Sequence, residues 1–361
     1  MSVAKHLALL AVAGTAALLA AGARAGDLLV TAAKPDHLYV IDAAKRSVRS
    51  DFRVAGVNGS FGTIVPSPDG RRVYMVVNRM ETILGVDLKT GRTVFRAELS
   101  TPGERVKDFF ALAVTPDGRE LVGYQMPTRL LPSEYQVEEP RFAVYRADAG
   151  LDAKPVRVFP APRRVAMLLA HPNGRSFYAI GFDLYEYALK DGRLIATRGI
   201  QKWNVPDHSQ PDVLAFWPVT EPTGVFTAPV TADAQVGGKT VSKTAVMQLD
   251  LASGRLEYQD FEDTSVVIFS SVESPDRSSV FGVYSTLTKV DLGSHSLAKR
   301  QALDHTYYAI NIATDGHEVY VGGAMCDVGF YDPATLEKRA LLRLPGCGDQ
   351  ALATLRVIHE R

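Results

Sequence analysis

The chain has 361 residues, of which 46% are hydrophobic and 22% charged, a composition typical of a globular protein with a large core. Forty Lys and Arg residues balance forty Asp and Glu residues, so the chain offers no basic footprint for nucleic acid. The length alone suggests two or three domains, but all-β barrels and propellers reach it as one domain.

The N-terminus has the pattern of a secretory signal peptide. Lys5 and His6 precede an apolar stretch over residues 7–21, and Ala23-Arg24-Ala25 forms a small-x-small cleavage site. This stretch is too short for a membrane span, and no later segment is long and apolar enough to be one. We therefore expect residues 1–25 to be removed and residues 26–361 to form one exported domain, which in a bacterium is periplasmic.

Seven copies of a strand-and-turn pattern follow. Turns related to Ser-Pro-Asp-Gly stand at residues 67–70, 115–118, 171–174, 274–277 and 313–316. A second signature, a strand ending in Asp or Tyr before a polar turn, begins with LYVIDAAKRSV (38–48) and ends with VGFYDPATLEK (328–338). Between Asp42 and Asp332 the copies recur about every 48 residues, within the range of propeller repeats.

Each copy holds four short strands in which apolar residues recur with period two, the pattern of a propeller blade. The first copy lacks an inner strand, whereas ALATLRVI (351–358) is a strand left over after the last copy. Pairing these two ends would remove an open sheet edge. The sequence therefore predicts an all-β fold, a seven-bladed β-propeller of four-stranded blades, closed by the C-terminal strand in the first blade.

The predicted strand order assigns the connections to two faces. The turn face carries the short, uniform turns between first and second strands and between third and fourth strands. The crossing face carries the connections between second and third strands and those between blades. Its segments vary in length, which is typical of binding loops on a rigid scaffold, so we expect this face to meet substrate or partner. They are residues 100–108, 125–140, 201–211, 228–243 and 303–306.

The entrance to the last blade is one candidate for chemistry. Asp304, His305, Tyr307 and Tyr308 lie together there, and these residue types could exchange protons with a substrate. The alternative is that His305 only binds the backbone at the start of the strand. Both interpretations place the group on the crossing face.

A second candidate lies between the fourth and fifth blades. Asp207, His208 and Ser209 are triad residue types, but a triad assembles from separated positions, so adjacency argues against catalysis. Trp203 is a candidate interface anchor, whereas Trp217 fits the core. The sequence contains no Gly-rich phosphate loop and no nucleophile elbow.

The two cysteines, Cys326 and Cys347, exclude some cofactors and allow one bond. Neither begins a Cys-x-x-Cys-His run, which excludes attached c-type haem, and two are too few for a structural zinc site. Both fall on the crossing face beside the closure. A disulfide there would stabilise the fold by about 3 kcal/mol, and two buried free thiols are the alternative.

Four stretches of the chain resemble a known family. They are STPGERVKDFFALAVTPDG (100–118), SQPDVLAFW (209–217), HTYYAINIATDG (305–316) and FYDPATLEKR (330–339). Together they resemble the β subunit of quinohemoprotein amine dehydrogenase, which is akin to the heavy chain of methylamine dehydrogenase. The resemblance extends from about residue 26 to the end, although the cysteines depart from the family pattern.

The resemblance implies a periplasmic heterotrimer that oxidises primary amines to aldehydes and releases ammonia. A small subunit carries a cysteine tryptophylquinone, a cytochrome subunit carries two c-type haems, and the propeller holds the small subunit and walls the amine cavity. This chain is then expected to bind no cofactor or metal and to be non-catalytic alone. Its expected interface or cavity residues are Trp203, His208, Asp304, His305, Tyr307 and Tyr308. The alternatives are an independent lactonase-like propeller enzyme and a non-enzymatic binding propeller.

Overall fold

The computed structural model describes residues 26–59, 61–213, 219–350 and 354–360. These residues form seven antiparallel sheets in a ring, which confirms the predicted seven-bladed β-propeller. The described helical structure is one 3₁₀ turn at Gly150–Asp152. The predicted signal peptide, residues 1–25, lies outside the described residues.

The strands follow one another in blade order. Blade one contains β1 (Asp27–Ala33), β2 (His37–Asp42) and β3 (Ser47–Arg53), and blade two contains β4 (Ile64–Pro66), β5 (Arg72–Val77), β6 (Thr82–Asp87) and β7 (Thr93–Glu98). Blade three contains β8 (Glu104–Lys107), β9 (Leu112–Val114), β10 (Glu120–Leu130), β11 (Tyr135–Val137), β12 (Arg141–Arg146) and β13 (Arg157–Pro160). Blade four contains β14 (Met167–Ala170), β15 (Ser176–Ile180), β16 (Leu184–Ala188) and β17 (Leu194–Arg198), and blade five contains β18 (Val225–Val236), β19 (Lys239–Asp250) and β20 (Leu256–Asp263). Blade six contains β21 (Ile268–Glu273), β22 (Ser279–Tyr284), β23 (Thr286–Asp291) and β24 (Ser296–Ala302), blade seven contains β25 (Ala309–Ile312), β26 (Val319–Gly322), β27 (Asp327–Tyr331) and β28 (Lys338–Arg343), and the last strand is β29 (Arg356–His359).

The C-terminal strand closes the ring as the sequence predicts. β29 pairs antiparallel with β1, from Asp27 opposite His359 to Val30 opposite Arg356. The first sheet therefore has the order β29-β1-β2-β3, with the last strand of the chain innermost. This pairing supplies the inner strand that the first repeat lacks and covers what would otherwise be an open edge.

Blade five is described in part. Its sheet has the order β18-β19-β20. At the position of an inner strand, Asp212 and Thr231 exchange backbone hydrogen bonds of 2.7 and 2.9 Å. Residues 214–218, which include the predicted core residue Trp217, lie outside the described part of the chain.

The core lies between neighbouring blades because apolar residues on both faces of each sheet are buried. Between blades three and four, for example, Phe142 and Phe177 pack edge to face with their ring centroids 5.0 Å apart. Phe142, Tyr124 and Leu168 belong to the same buried cluster. Burial on both sheet faces explains the long apolar runs of the middle strands, in contrast to the mixed pattern of the outer strands.

The repeated turns are held by their own side chains. At residues 115–118 the hydroxyl of Thr115 donates to Asp117 at 2.6 Å, and Gly118 adopts a φ of +70° that other residues rarely take. Hydrogen bonds to the Asp117 carboxyl lower its pKa, and the one from Thr115 contributes most. The Asp of the repeat therefore has a structural role in its turn.

Two segments that the sequence analysis describes as loops are largely strands. Residues 125–140 contain the outer half of β10 and all of β11, and residues 228–243 contain most of β18 and the start of β19. The prediction of a loop was wrong for residues 125–140, because Pro127 lies inside β10 although proline has no backbone N–H. Its carbonyl accepts a 3.0 Å hydrogen bond from the Glu138 amide, and this position needs no N–H from residue 127. Both segments are hairpins that extend from the crossing face.

Candidate docking face

The crossing face is built around these two hairpins, and each is widened by the connection that enters its blade. In blade three, β8 pairs with the outer half of β10, from Lys107 opposite Met126 to Glu104 opposite Arg129. In blade five, the amide of Ser209 donates to the carbonyl of Asp233 at 2.7 Å, so residues 207–212 run beside β18. The hairpins therefore stand as small sheets on either side of blade four.

Among the described residues, seven of the fourteen large apolar side chains that are at least 36% exposed lie on the crossing face. The other seven lie on the outer strands and on the connections next to those strands. The most exposed one on the crossing face is Tyr135, at 77%. Exposed apolar side chains on the hairpins and connections of one face are candidates for an interaction surface. The crossing-face members are Phe109, Met126, Tyr135, Val137, Val236, Val267 and Met325.

The predicted group at the entrance to blade seven forms a closed hydrogen-bonded cluster. The Tyr307 hydroxyl donates to Asp327 Oδ1 at 2.8 Å, and His305 Nε2 lies 3.1 Å from the same oxygen. His305 Nδ1 lies 2.8 Å from the carbonyl oxygen of Thr306. Burial, followed by the Asp327 charge, raises the pKa of Tyr307, so this hydroxyl stays protonated.

This cluster is better suited to hold the strand entrance than to transfer protons. Tyr307 has no exposed surface, and Asp327, at 6% exposure, is buried beneath it. His305 faces the backbone carbonyl of Thr306 at one ring nitrogen and the carboxylate of Asp327 at the other. Asp304 lies apart from the cluster and forms an exposed ion pair with Lys338, which lowers the pKa of the Asp304 carboxyl.

Tyr308 has a different position from its neighbour Tyr307. Its half-buried ring packs against Phe269, with centroids 4.8 Å apart, and against Tyr284, with centroids 6.0 Å apart. Phe269 and Tyr284 belong to blade six, so the three rings join blades six and seven at the crossing face. Of the predicted group, Tyr308 is therefore the residue whose ring packs against the neighbouring blade six.

Trp203 and His208 form a second aromatic group beside the blade-five hairpin. The Trp203 indole donates to the carbonyl of Ser209 at 2.7 Å and packs edge-on against Tyr258. His208 lies between two acceptors, the carbonyl of Pro206 at 2.8 Å and the carboxylate of Asp260 at 2.9 Å. The Pro206 carbonyl contributes most to raising the pKa of His208, and Asp260 adds to it. This arrangement differs from a triad, because the hydroxyl of Ser209 points to the backbone at residues 210 and 233.

Cys326 and Cys347 are joined by a disulfide whose Cα atoms are 5.6 Å apart. Cys326 precedes β27 and Cys347 belongs to the connection toward β29, so the bond ties blade seven to the closing segment. Gln350 adds to this tie, because its side chain donates to the carbonyls of Ala324 and Asp327 at 3.1 and 2.7 Å. The crossing face is thus held firmly beside the closure.

Some buried polar residues were not found by sequence reasoning. Asp108 is fully buried, its Oδ1 accepts the amide of Ala111 at 3.0 Å, and its Oδ2 has no hydrogen-bond partner among the described residues. Burial raises the pKa of Asp108 well above its usual range. A lone Asp in a connection carries no sequence signal for such burial, because the burial arises from packing between blades two and three.

The described residues contain no group of three or more His, Cys, Asp or Glu side chains arranged to hold a metal ion. The same part of the chain has no helix of the length and hydrophobicity that a membrane span requires.

Comparisons with known proteins identify the class of fold. No protein-family description matches the chain, and no curated protein sequence does. Among solved structures, the chain is similar to dihydro-heme d1 dehydrogenase NirN in complex with DHE, with 17% identity, a TM-score of 0.55, and coverage of 92% of this chain and 75% of NirN.

Two further structures support the same class. Hydrazine synthase from Kuenenia stuttgartiensis shares 11% identity at a TM-score of 0.53, over 86% of this chain and 90% of that one. A functionally unknown protein from Desulfotomaculum acetoxidans shares 11% identity at a TM-score of 0.60, over 93% of this chain and all of that one. At such identities the likeness shows the β-propeller fold alone.

Proposed function

We propose that this chain is the propeller subunit of a periplasmic quinohemoprotein amine dehydrogenase. In this role its crossing face holds the small quinone-bearing subunit and walls the cavity where primary amines are oxidised to aldehyde and ammonia. The observation that carries the proposal is that the hairpins and connections of the crossing face expose large apolar side chains, with Tyr135 at 77%. A surface of this kind fits a partner polypeptide better than it fits bulk water.

The sequence resemblance supports the choice of partner. The described residues of the resembling stretches 100–118, 209–217 and 305–316 include three connections of the crossing face, those that lead into blades three, five and seven. In the proposed heterotrimer the quinone belongs to the small subunit and two c-type haems to the cytochrome subunit. This chain contributes position and shape to the reaction.

The aromatic residues of the crossing face are the proposed contacts. Tyr308 with Phe269 and Tyr284 presents a ring surface at blades six and seven, and Trp203 presents another beside blade five. Large, rigid aromatic side chains are enriched among residues that dominate interface energetics. We therefore expect Tyr308 and Trp203 to contribute more to assembly than the charged residue Asp304.

Co-purification tests this proposal directly. The chain is expressed together with the genes that flank its own in the source genome, with an affinity tag on the propeller, and the eluate is examined for haem absorbance, a quinone-bearing subunit and amine oxidation. We expect all three with the wild type. Tyr308→Ala should lower amine turnover or recovery of the complex, whereas Arg119→Ala, an exposed change on the turn face, should leave both unchanged.

Two results would overturn the proposal. A propeller that purifies without either partner and hydrolyses lactones is an independent enzyme. A propeller that purifies alone and shows neither activity is a binding protein of another kind.

A further inference from the structure

Blade four presents two cations over one aromatic ring on the crossing face. Phe182 lies in the connection between β15 and β16, outside both repeat signatures. Arg164 Cζ lies 5.8 Å and Lys202 Nζ lies 6.0 Å from the centre of that ring. Arg164 and Lys202 are both exposed, and they come from the connections that enter and leave blade four.

Backbone contacts fix this arrangement. A side chain at Gly181 would meet the carbonyl oxygen of Arg164 at 1.9 Å, so the two connections touch directly and only glycine fits there. On the other side, Asp183 Oδ1 accepts the amide of Lys202 at 3.2 Å, and the carbonyl of Phe182 accepts the amide of the residue before Lys202 at 3.0 Å. The two cations are therefore held beside the ring before any partner arrives.

The charge of this group is not balanced within the described part of the chain. Neither Arg164 nor Lys202 has a carboxylate within 4.0 Å there, whereas the neighbouring Arg163 is paired with Glu139 at 2.8 Å. Asp183 is 97% buried and directed at the backbone, so it is not presented at the surface. An exposed cation–π contact is weak, which leaves both charges available to an incoming anion.

An apolar sheet face, here called the apolar wall, extends outward from the neighbouring blade three. Tyr124 packs in the cluster between blades three and four and donates to the carbonyl of Pro162 at 3.0 Å, so its side of β10 faces blade four. Because side chains alternate along a strand, Met126 and Leu130 share that side. Tyr135 pairs with Leu130, and Val137 lies two residues further on the same face of β11.

We propose that an acidic, apolar segment of a partner polypeptide lies over blade four, with a carboxylate at Arg164 and Lys202 and its apolar side chains against Tyr135 and Val137. Two fixed cations beside an exposed apolar sheet face are complementary to such a segment and repel a basic one. This inference rests on the proposed function for the name of the partner, the small quinone-bearing subunit. The recognition chemistry itself does not depend on that name.

A peptide-binding experiment tests the site without the partner. The probe is a fluorescent peptide of about ten residues in which Glu alternates with Leu, an extended pattern that offers carboxylates and apolar side chains together. Its control is the same peptide with Lys in place of Glu. We expect the wild-type propeller to bind the acidic peptide and not the basic one, and binding should weaken as salt is added.

Variants then locate the binding. Arg164→Glu combined with Lys202→Glu should weaken binding of the acidic peptide about tenfold, equivalent to about 1.4 kcal/mol. The matched control reverses two charges on the turn face, Arg71→Glu with Arg119→Glu, whose side chains are 83% and 85% exposed. That control has the same net charge and should bind as the wild type does.

The apolar wall has its own pair of variants. Tyr135→Ser should weaken binding several-fold, whereas Leu194→Ser, a 48% exposed position on the outer strand β17, should not. Equal affinities for the blade-four and turn-face charge variants, or no binding of the acidic peptide by the wild type, would overturn the inference. If the peptide results hold but no quinone-bearing subunit co-purifies, the docking site stands and the proposed function fails.

Discussion

Replacement of Arg356 by Met tests the closure from inside the ring. Arg356 lies in β29, and its side chain is 8% exposed. Its Nη1 donates to the carbonyl of Ile64 in β4 at 2.7 Å, and its Nε is paired with Glu221, which precedes β18. One guanidinium thus connects blade one with its neighbour, blade two, and with blade five across the ring.

The expected loss follows from these contacts. A hydrogen bond that involves a charged group contributes about 1.5–3 kcal/mol, and removal of one partner of a buried ion pair costs about 3–5 kcal/mol. Glu221 is 21% exposed, so water offsets part of that cost. We therefore expect Arg356→Met to lower the free energy of unfolding by about 3 kcal/mol and Glu221→Gln to lower it by about 2 kcal/mol. Methionine keeps most of the apolar stem, which separates the lost charge from lost packing.

Urea unfolding followed by far-ultraviolet circular dichroism measures both single variants and the double variant. If the two side chains interact, the double variant should lose about 3 kcal/mol rather than the sum of about 5 kcal/mol. A change below about 0.5 kcal/mol for Arg356→Met, as at an ordinary surface site, would refute the position of β29 inside the ring. Additive single effects would refute the contact between blades one and five.

Three further outcomes are expected. Replacement of Cys326 and Cys347 by Ser should lower the free energy of unfolding by about 3 kcal/mol, because the bond closes a loop with a sequence separation of 21, and equal urea midpoints for oxidised wild type and variant would contradict this. Tyr307→Phe removes the 2.8 Å hydrogen bond to Asp327 and should cost about 1–2 kcal/mol in the same assay, whereas an unchanged midpoint would show that the bond contributes nothing. The pKa of His208 is raised in the folded state, so its stabilising contribution is complete below about pH 6.5 and is lost as pH rises through the higher folded-state pKa. The stability difference between wild type and His208→Gln should therefore shrink as pH rises from about 6, and a difference that grows would contradict the assignment.

The repeat pattern was sufficient to predict the ring and its closure. Each blade is a local unit, and its strands and turns lie close together in sequence, so periodicity and the Asp-Gly turns identify it. The unpaired first and last strands indicated the remaining contact between the ends, and β1 pairs with β29 as expected. The division into two faces follows from strand order alone.

The details of the crossing face were harder to predict. Prolines and charged residues over 125–140 have the composition of a loop, yet pairing with β8 and within the hairpin makes much of this segment strand. His305 and Asp327 are 22 residues apart, and Arg356 and Glu221 are 135 apart, so neither contact has a local sequence signal. Such pairs depend on the three-dimensional arrangement of blades, which periodicity does not specify at the level of single side chains.

The central claim is that the crossing face receives another polypeptide, and hydrogen–deuterium exchange of the free and partner-bound propeller tests it most directly. The account predicts that amides of residues 125–140 and of the connections around Phe182 become protected in the complex, while amides of the turn face, such as those of residues 117–119, exchange as before. Protection confined to the turn face, or no change at the blade-three hairpin and blade four, would contradict it.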